Sequence, residues 1–189
     1  MTTTQTSGTT DTTLTTWQID PGHSEVGFAV KHLMISSVRG RFSGVKGTIV
    51  LDGEDVSRSS VEVEIDASTI DTREEKRDGH LRSPDFFDVE KHPTITFRSR
   101  RIEPIGDDRF RVTGDLTIRG VTREVVLEAV EEGRGGDPWG GERVGFSATG
   151  KIDRREFGLT WNQALETGGV LVSNDIKLSI EAEAVKVTK

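Results

Sequence analysis

Residues 109–120, RFRVTGDLTIRG, alternate apolar and polar side chains without a fault. Phe110, Val112, Gly114, Leu116 and Ile118 share one side; Arg109, Arg111, Thr113, Asp115 and Thr117 share the other. Side chains change face at every residue of a strand, so this segment is a β-strand with one face inside and one in solvent. A helix cannot satisfy the same pattern. The alternation recurs in seven other segments, and it is what most limits the folds open to the chain.

The first of these is residues 24–32, where Ser24, Val26, Phe28, Val30 and His32 oppose Glu25, Gly27, Ala29 and Lys31. In residues 39–52, Phe42, Val45 and Ile49 share a face only if the strand bulges among Gly40, Gly44 and Gly47. Residues 60–66 set Val61, Val63 and Ile65 against Glu62 and Glu64, and residues 94–102 turn Ile95 and Phe97 inward. Val125, Leu127 and Ala129 follow; then Val144, Phe146, Ala148 and Ile152; then Ile176, Leu178, Ile180, Ala182 and Ala184. One-faced strands joined by turn-length connections pair antiparallel. About eight of them close a barrel wide enough for side chains or one small ligand. Alternation alone leaves a two-sheet sandwich open as well. Gly114, Ala148, Ala182 and Ala184 are small residues on inward positions, and inside a closed sheet they leave space. A strand of ten to twelve residues, tilted by about 40°, spans about 25–30 Å of barrel axis.

Residues 78–97, DGHLRSPDFFDVEKHPTITF, interrupt the pattern. Thr72 with Glu75 three positions later is a capping-box spacing and predicts a helix over residues 73–81. Ser83-Pro84-Asp85 reads as the start of a second short helix carrying Phe86 and Phe87. A helix that short is unstable alone, so its phenylalanines must dock on the strands.

Other function classes are narrowed by composition. The chain has no cysteine, hence no disulfide, thiolate nucleophile or cysteine zinc site. A net charge of −7 argues against nucleic acid as a partner. No segment is apolar for long enough to be an integral membrane span. Residues 1–16 are threonine-rich without a basic or apolar region, so the expectation is a disordered tail, a folded domain over 17–189 and a cytoplasmic location.

Five segments in order, WQIDPGHSEVGFAVKH, GRFSGVKGTI, RDGHLRSPDFFDVEKHPTITF, GDLTIRGVTREV and IDRREFGL, resemble the YceI-like family of polyisoprenoid-binding, lipocalin-like proteins. The resemblance spans about residues 17–187. It implies an all-β fold, an extended eight-stranded antiparallel lipocalin-like barrel with a short helical insert. It also implies an apolar cavity for a long-chain isoprenoid or quinone-like lipid, and no cofactor chemistry. Many relatives carry a secretion signal, where this chain has its threonine-rich start.

The inward residues Phe28, Val30, Phe42, Ile95, Phe97, Leu116, Ile118, Phe146 and Leu178 are core by pattern and cavity lining by resemblance. Phe86 and Phe87 either cap the cavity mouth or anchor the insert. His32, on an inward position, either meets a polar head group or bonds to nearby backbone. His23 with Asp20 and Ser24 is expected to form a local structural hydrogen bond, because neighbours in a turn do not meet triad geometry. Asp153-Arg154 reads as a salt bridge at a strand end. The expected function is non-catalytic carriage, storage or sensing of a lipid. The alternative is a hydrolase acting through Asp78, His80 or His32, which lacks a nucleophile motif such as GxSxG. An exposed barrel face leaves a homodimer possible.

Overall fold

The computed structural model describes residues 14–166 and 168–188, and in it one antiparallel sheet closes on itself. Its strands are β1 (Leu14–Ile19), β2 (Glu25–His32), β3 (Ser36–Phe42), β4 (Val45–Asp52), β5 (Ser60–Asp66), β6 (Thr94–Gly106), β7 (Arg109–Ile118), β8 (Val121–Gly136), β9 (Glu142–Asp153) and β10 (Val172–Lys186). β1 and β2 lie end to end along one edge of β10, with Ile19 opposite Ala184 and Val26 opposite Ile180. β3 and β4 run back along them, β3 on β2 and β4 on β1. Each of these two pairs is therefore one bent strand. Counted so, the barrel has the eight strands expected, in simple up-and-down order.

Aspartates turn the chain at four strand ends. Asp20, Asp55, Asp66 and Asp153 each accept a hydrogen bond from the backbone N–H two residues on, starting a single 3₁₀ turn. The sequence at these points is D-P-G, D-V-S, D-A-S and D-R-R, so a carboxylate at the right offset makes each turn.

The core is lopsided. On β5 to β8 the inward residues Ile65, Ile95, Phe97, Val112, Leu116, Ile118, Val125 and Leu127 are buried. On β2, β9 and β10 the inward residues Val26, Phe28, Phe146, Ala148, Leu178 and Ile180 are only half-buried. These residues of β2, β9 and β10 are the more exposed, although both walls border the same interior space.

Several expectations are corrected here. Leu14 to Thr16 belong to β1, where Thr15 and Thr16 pair with Leu51 and Val50, so the fold starts before residue 17. The rest of the proposed tail, residues 1–13, lies outside the described residues. Some strands are longer than ten to twelve residues: β8 has 16 and β10 has 15. At about 3.4 Å per residue and a tilt of about 40°, β10 spans about 39 Å of axis. Gly114 leaves no interior space, because a Cβ there would lie 2.6 Å from Phe97 Cζ. Ala184 is fully buried in packed core.

The insert holds one helix among the described residues, α1 (Glu75–Arg82). Its N-cap is Glu74, whose carboxylate accepts from the backbone N–H of Lys76 and Arg77. Thr72 turns to Asp78 instead, so the capping box does not form. No second helix starts at Ser83. Its hydroxyl donates to the His80 carbonyl at 2.6 Å and closes α1, and residues 84–91 proceed as turns.

Candidate ligand cavity

The barrel encloses a cavity of about 520 Å³ that runs from the β4–β5 turn at one end to the insert at the other. Its wall is mostly aliphatic and aromatic. The insert is tied across the upper end by several independent bonds. Ala67 N–H donates to the Pro93 carbonyl at 2.9 Å, closing the base of the excursion. Asp71 and Arg41 exchange two backbone hydrogen bonds, joining the insert to the free edge of β3. Arg82 donates to the carbonyls of Ser68 and Ile70, and Arg119 to that of Phe86. These bonds place Phe86 and Phe87 over the barrel. Phe87 meets Phe42 edge-on with ring centres 5.5 Å apart, and Phe42 meets Phe28 at 5.8 Å.

The structure puts Phe28 and Val30 of β2, Phe42 of β3, and Ile95 and Phe97 of β6 on the cavity wall. Leu116 and Ile118 of β7, Phe146 of β9, Leu178 of β10, and Phe86 and Phe87 of the insert join them. Phe28 reaches inward over Gly40, directly opposite on β3, where a Cβ would lie 2.3 Å from Phe28 Cζ. Ala148 and Ala182 also line the space.

His32 does not line the cavity. It is half-buried at the end of β2, paired with Ser36 and Val172. On β10 the residue paired with Val30 is Ile176, four positions beyond Val172, so the sheet is irregular beside His32, the last residue of β2.

The residues of the hydrolase alternative are separately engaged. Asp78 is buried, and its carboxylate accepts from both the backbone N–H and the hydroxyl of Thr72. His80 pairs with Asp85, Nε2 to Oδ2 at 2.8 Å, rather than with Asp78. Its ring also packs edge-on against Phe86 and Trp161, at 5.1 and 4.7 Å between centres. Both residues pin the insert.

A second polar cluster lies at the β1–β2 bend. His23 Nδ1 sits 3.0 Å from Asp20 Oδ2. Arg143 of β9 donates to Asp20 at 2.9 Å, to Glu183 at 2.6 Å and to Asp137 at 3.2 Å. The hydrogen bond from Arg143, then that from His23, holds the Asp20 carboxyl below the usual carboxylate range. Asp20, His23 and Glu183 bring ligand atoms within 4.8 Å of one another, yet Arg143 already donates to both carboxylates. The cluster staples the bend to β9 and β10.

Arg154 is the site residue that sequence reasoning placed wrongly. Asp153 pairs with Arg155, at 2.6 Å, not with Arg154. Arg154 turns inward, is 3% exposed and forms part of the cavity wall. Burial lowers its hold on its proton, and the Asp153 charge acts against that shift. Trp161 was also missed. It lies in the loop after β9 and touches both His80 and Phe86 across the top of the barrel. No local pattern marks either residue, because both follow the strand whose alternation carried the signal.

A closed antiparallel barrel, eight strands in up-and-down order around an apolar cavity with one insert over the end, is a lipocalin-like architecture. The family model of the YceI-like domain matches residues 17–184, and the chain belongs to that family. Protein YceI of Escherichia coli O17:K52:H18 is 40% identical over 164 residues, covering 87% of this chain and 82% of that protein. The crystal structure of Burkholderia cenocepacia BcnA superposes with a TM-score of 0.76 at 22% identity, covering 87% of this chain and 98% of that one. A polyisoprenoid binding domain from Saccharophagus degradans superposes with a TM-score of 0.62 at 13% identity, covering 89% and 97%. At those identities the two structures speak to the fold.

Proposed function

We propose that this protein binds the apolar chain of a long isoprenoid or related lipid inside the barrel, and that it does so without catalysis. The observation that carries the reading is the continuous apolar cavity along the barrel axis, about 520 Å³, within the usual size range of small-molecule sites. Membership of the YceI-like family and the polyisoprenoid-binding description of the Saccharophagus degradans domain support the same ligand class. The driving force is burial, about 0.8 kcal/mol per methylene removed from water. A dozen methylenes contribute about 10 kcal/mol, enough to offset an association cost of order 4–15 kcal/mol when further carbons are buried. The engagement of Asp78 with Thr72 and of His80 with Asp85 disfavours the hydrolase alternative.

Solvent extraction of the purified protein followed by mass spectrometry tests this. One intact long-chain lipid per protein is expected. A protein that yields no lipid and refuses added prenyl chains overturns the reading.

A further inference from the structure

The turn between β2 and β3 holds three consecutive apolar residues in solvent: Leu33 is 37% exposed, Met34 62% and Ile35 82%. The Ile35 N–H donates to the His32 carbonyl at 3.1 Å and closes the turn. Its two central residues, Leu33 and Met34, both sit at positive φ, 55° and 57°. Asparagine and glycine suit such positions, and other side chains are strained there. A turn that served only to reverse the chain would gain nothing from leucine and methionine here. Scattered apolar residues on a surface are ordinary, but a contiguous apolar tip marks a contact. The hairpin rises at the insert end of the barrel: the Leu33 N–H donates to the Leu171 carbonyl at 2.9 Å, in the loop whose Trp161 touches the insert.

Cations surround the base of this tip. Lys177 of β10, Ala29 of β2 and Arg39 of β3 stand in one row across the outer face, and Lys31 lies nearer the turn, opposite Ser37. Met34 borders the same groove as Lys31, Arg39 and Lys177. Among the described residues none of these three cations has a carboxylate partner, whereas Lys151 beside them pairs with Asp175 at 3.1 Å and Arg41 with Glu25 at 3.3 Å. Glu25 and Glu181 face each other six residues down β2 from Lys31, about 20 Å away at about 3.3 Å per residue. That is more than twice the screening length of about 8 Å at physiological salt. The tip therefore feels its own cations more than the net charge of −7.

We propose that this hairpin docks the protein on an anionic lipid bilayer, with Leu33, Met34 and Ile35 entering the acyl boundary and Lys31, Arg39 and Lys177 against the head groups. A three-residue tip is too small for a protein partner, whose interface engages about 20–30 residues a side. A bilayer accepts a convex apolar tip without matching its shape. The three side chains offer about a dozen heavy atoms, close to one myristoyl chain, which alone holds a membrane marginally and needs a basic patch as a second signal. Both signals are present. The inference concerns the outer surface and stands whether or not the barrel carries lipid; where it does, docking turns the insert end of the cavity toward the membrane.

Flotation of the full chain with vesicles tests this, the vesicles being phosphatidylcholine alone or phosphatidylcholine mixed equally with phosphatidylglycerol. Binding to the mixed vesicles at low salt is expected, weakening as salt rises and about tenfold weaker on phosphatidylcholine alone. Leu33→Asn with Met34→Gly and Ile35→Ser gives the turn its favoured residues, so this variant is expected to fold at least as stably and to lose vesicle binding about tenfold or more. Ile35→Ser alone, at the most exposed position, serves if the triple variant does not fold. Lys31→Glu with Arg39→Glu is expected to lose the preference for anionic vesicles. Wild type that stays off the mixed vesicles, a folded tip variant that floats with them equally, or a charge variant that keeps its preference overturns the proposal. Wild type that stays off vesicles but sediments as a dimer, which the tip variant splits, assigns the tip to a second copy of this chain and overturns it too. Docking is read from the protein and cavity loading from extracted lipid, so either reading can fail alone.

Discussion

Replacing Ala182 with leucine separates an open cavity from a packed core by the sign of one measurement. Ala182 lies on β10 opposite Phe146, half-buried and on the cavity wall. Leucine adds three carbons, worth about 2.4 kcal/mol at about 0.8 kcal/mol each if they are fully buried in space that is now empty. Ordering the larger side chain costs about 0.5–1 kcal/mol. A net gain of about 1–2 kcal/mol remains, which raises Tm by about 2–8 °C in a domain of this size. The added carbons take up part of the 520 Å³ available. Lipid capacity must fall accordingly. Two residues further along the same strand, Ala184 is fully buried in packed core. Leucine there is overpacking, at a cost of about 1–3 kcal/mol and a fall in Tm of about 2–12 °C. Scanning calorimetry of both delipidated variants, with a lipid-uptake titration, supplies the readout. If Ala182→Leu lowers Tm as Ala184→Leu does and leaves uptake unchanged, the interior beside β10 is solid and the cavity argument fails.

Three further outcomes follow from the same geometry. Phe28→Asp puts a carboxylate on the open wall, where an incoming lipid would strip its water, so uptake should drop by at least tenfold in a protein that stays folded by circular dichroism. Phe86→Ala removes a buried ring held against His80 and Trp161, and it should cost about 3–5 kcal/mol, read as a Tm lower by about 6–20 °C. The carboxyls of Asp20 and Asp137 are depressed in the fold, so their contribution is present above the unfolded value near 3.8 and is lost as pH falls through the folded one. Arg143→Gln should therefore lower the urea midpoint at pH 7, and its deficit relative to wild type should shrink below about pH 4; a deficit constant from pH 7 to pH 2 would refute the Arg143 linkage.

Strands and their inward faces were legible because period-two alternation is local, and burial on one face enforces it. Phe28, Val30, Phe97 and Leu178 could each be assigned from neighbours two residues away. The bent strands were less plain. The break between β1 and β2 is made by Asp20 and a Pro-Gly turn inside one continuous edge of β10, and only the pairing of Ile19 and Val26 with that same strand shows it. The helix signal at Ser83 was misleading for a physical reason. The same hydroxyl that caps a following helix can close a preceding one, and here α1 ends at the residue before Ser83, whose backbone N–H and hydroxyl both donate to the His80 carbonyl. Arg154 and Trp161 were illegible because their partners are backbone carbonyls of residues 159–173 and rings of the insert. Charge beside charge at Asp153-Arg154 looked like a pair, but Asp153 reached the next arginine, leaving Arg154 free to turn in.

The lopsided packing bears on whether the interior is ever empty. At about 24 cal/mol per Å³, an unfilled space of 520 Å³ represents up to about 12 kcal/mol of lost packing, as large as the whole net stability of an ordinary domain. Water is a poor substitute along most of that wall, since a buried water needs two to four polar partners and the polar groups gather at the ends. A fold that leaves such a space therefore recovers its stability from an occupant, and binding and folding are linked. At a free lipid concentration one hundred times Kd the linkage is worth about 2.7 kcal/mol, or about 5–10 °C in Tm. Calorimetry of the stripped protein, alone and with increasing prenyl or fatty-chain lipid, should show Tm climbing with the logarithm of ligand concentration. A Tm that stays fixed while mass spectrometry shows lipid bound at unit stoichiometry would mean that the lipid binds the unfolded chain as tightly as the folded one, and the folded barrel would then not be its site.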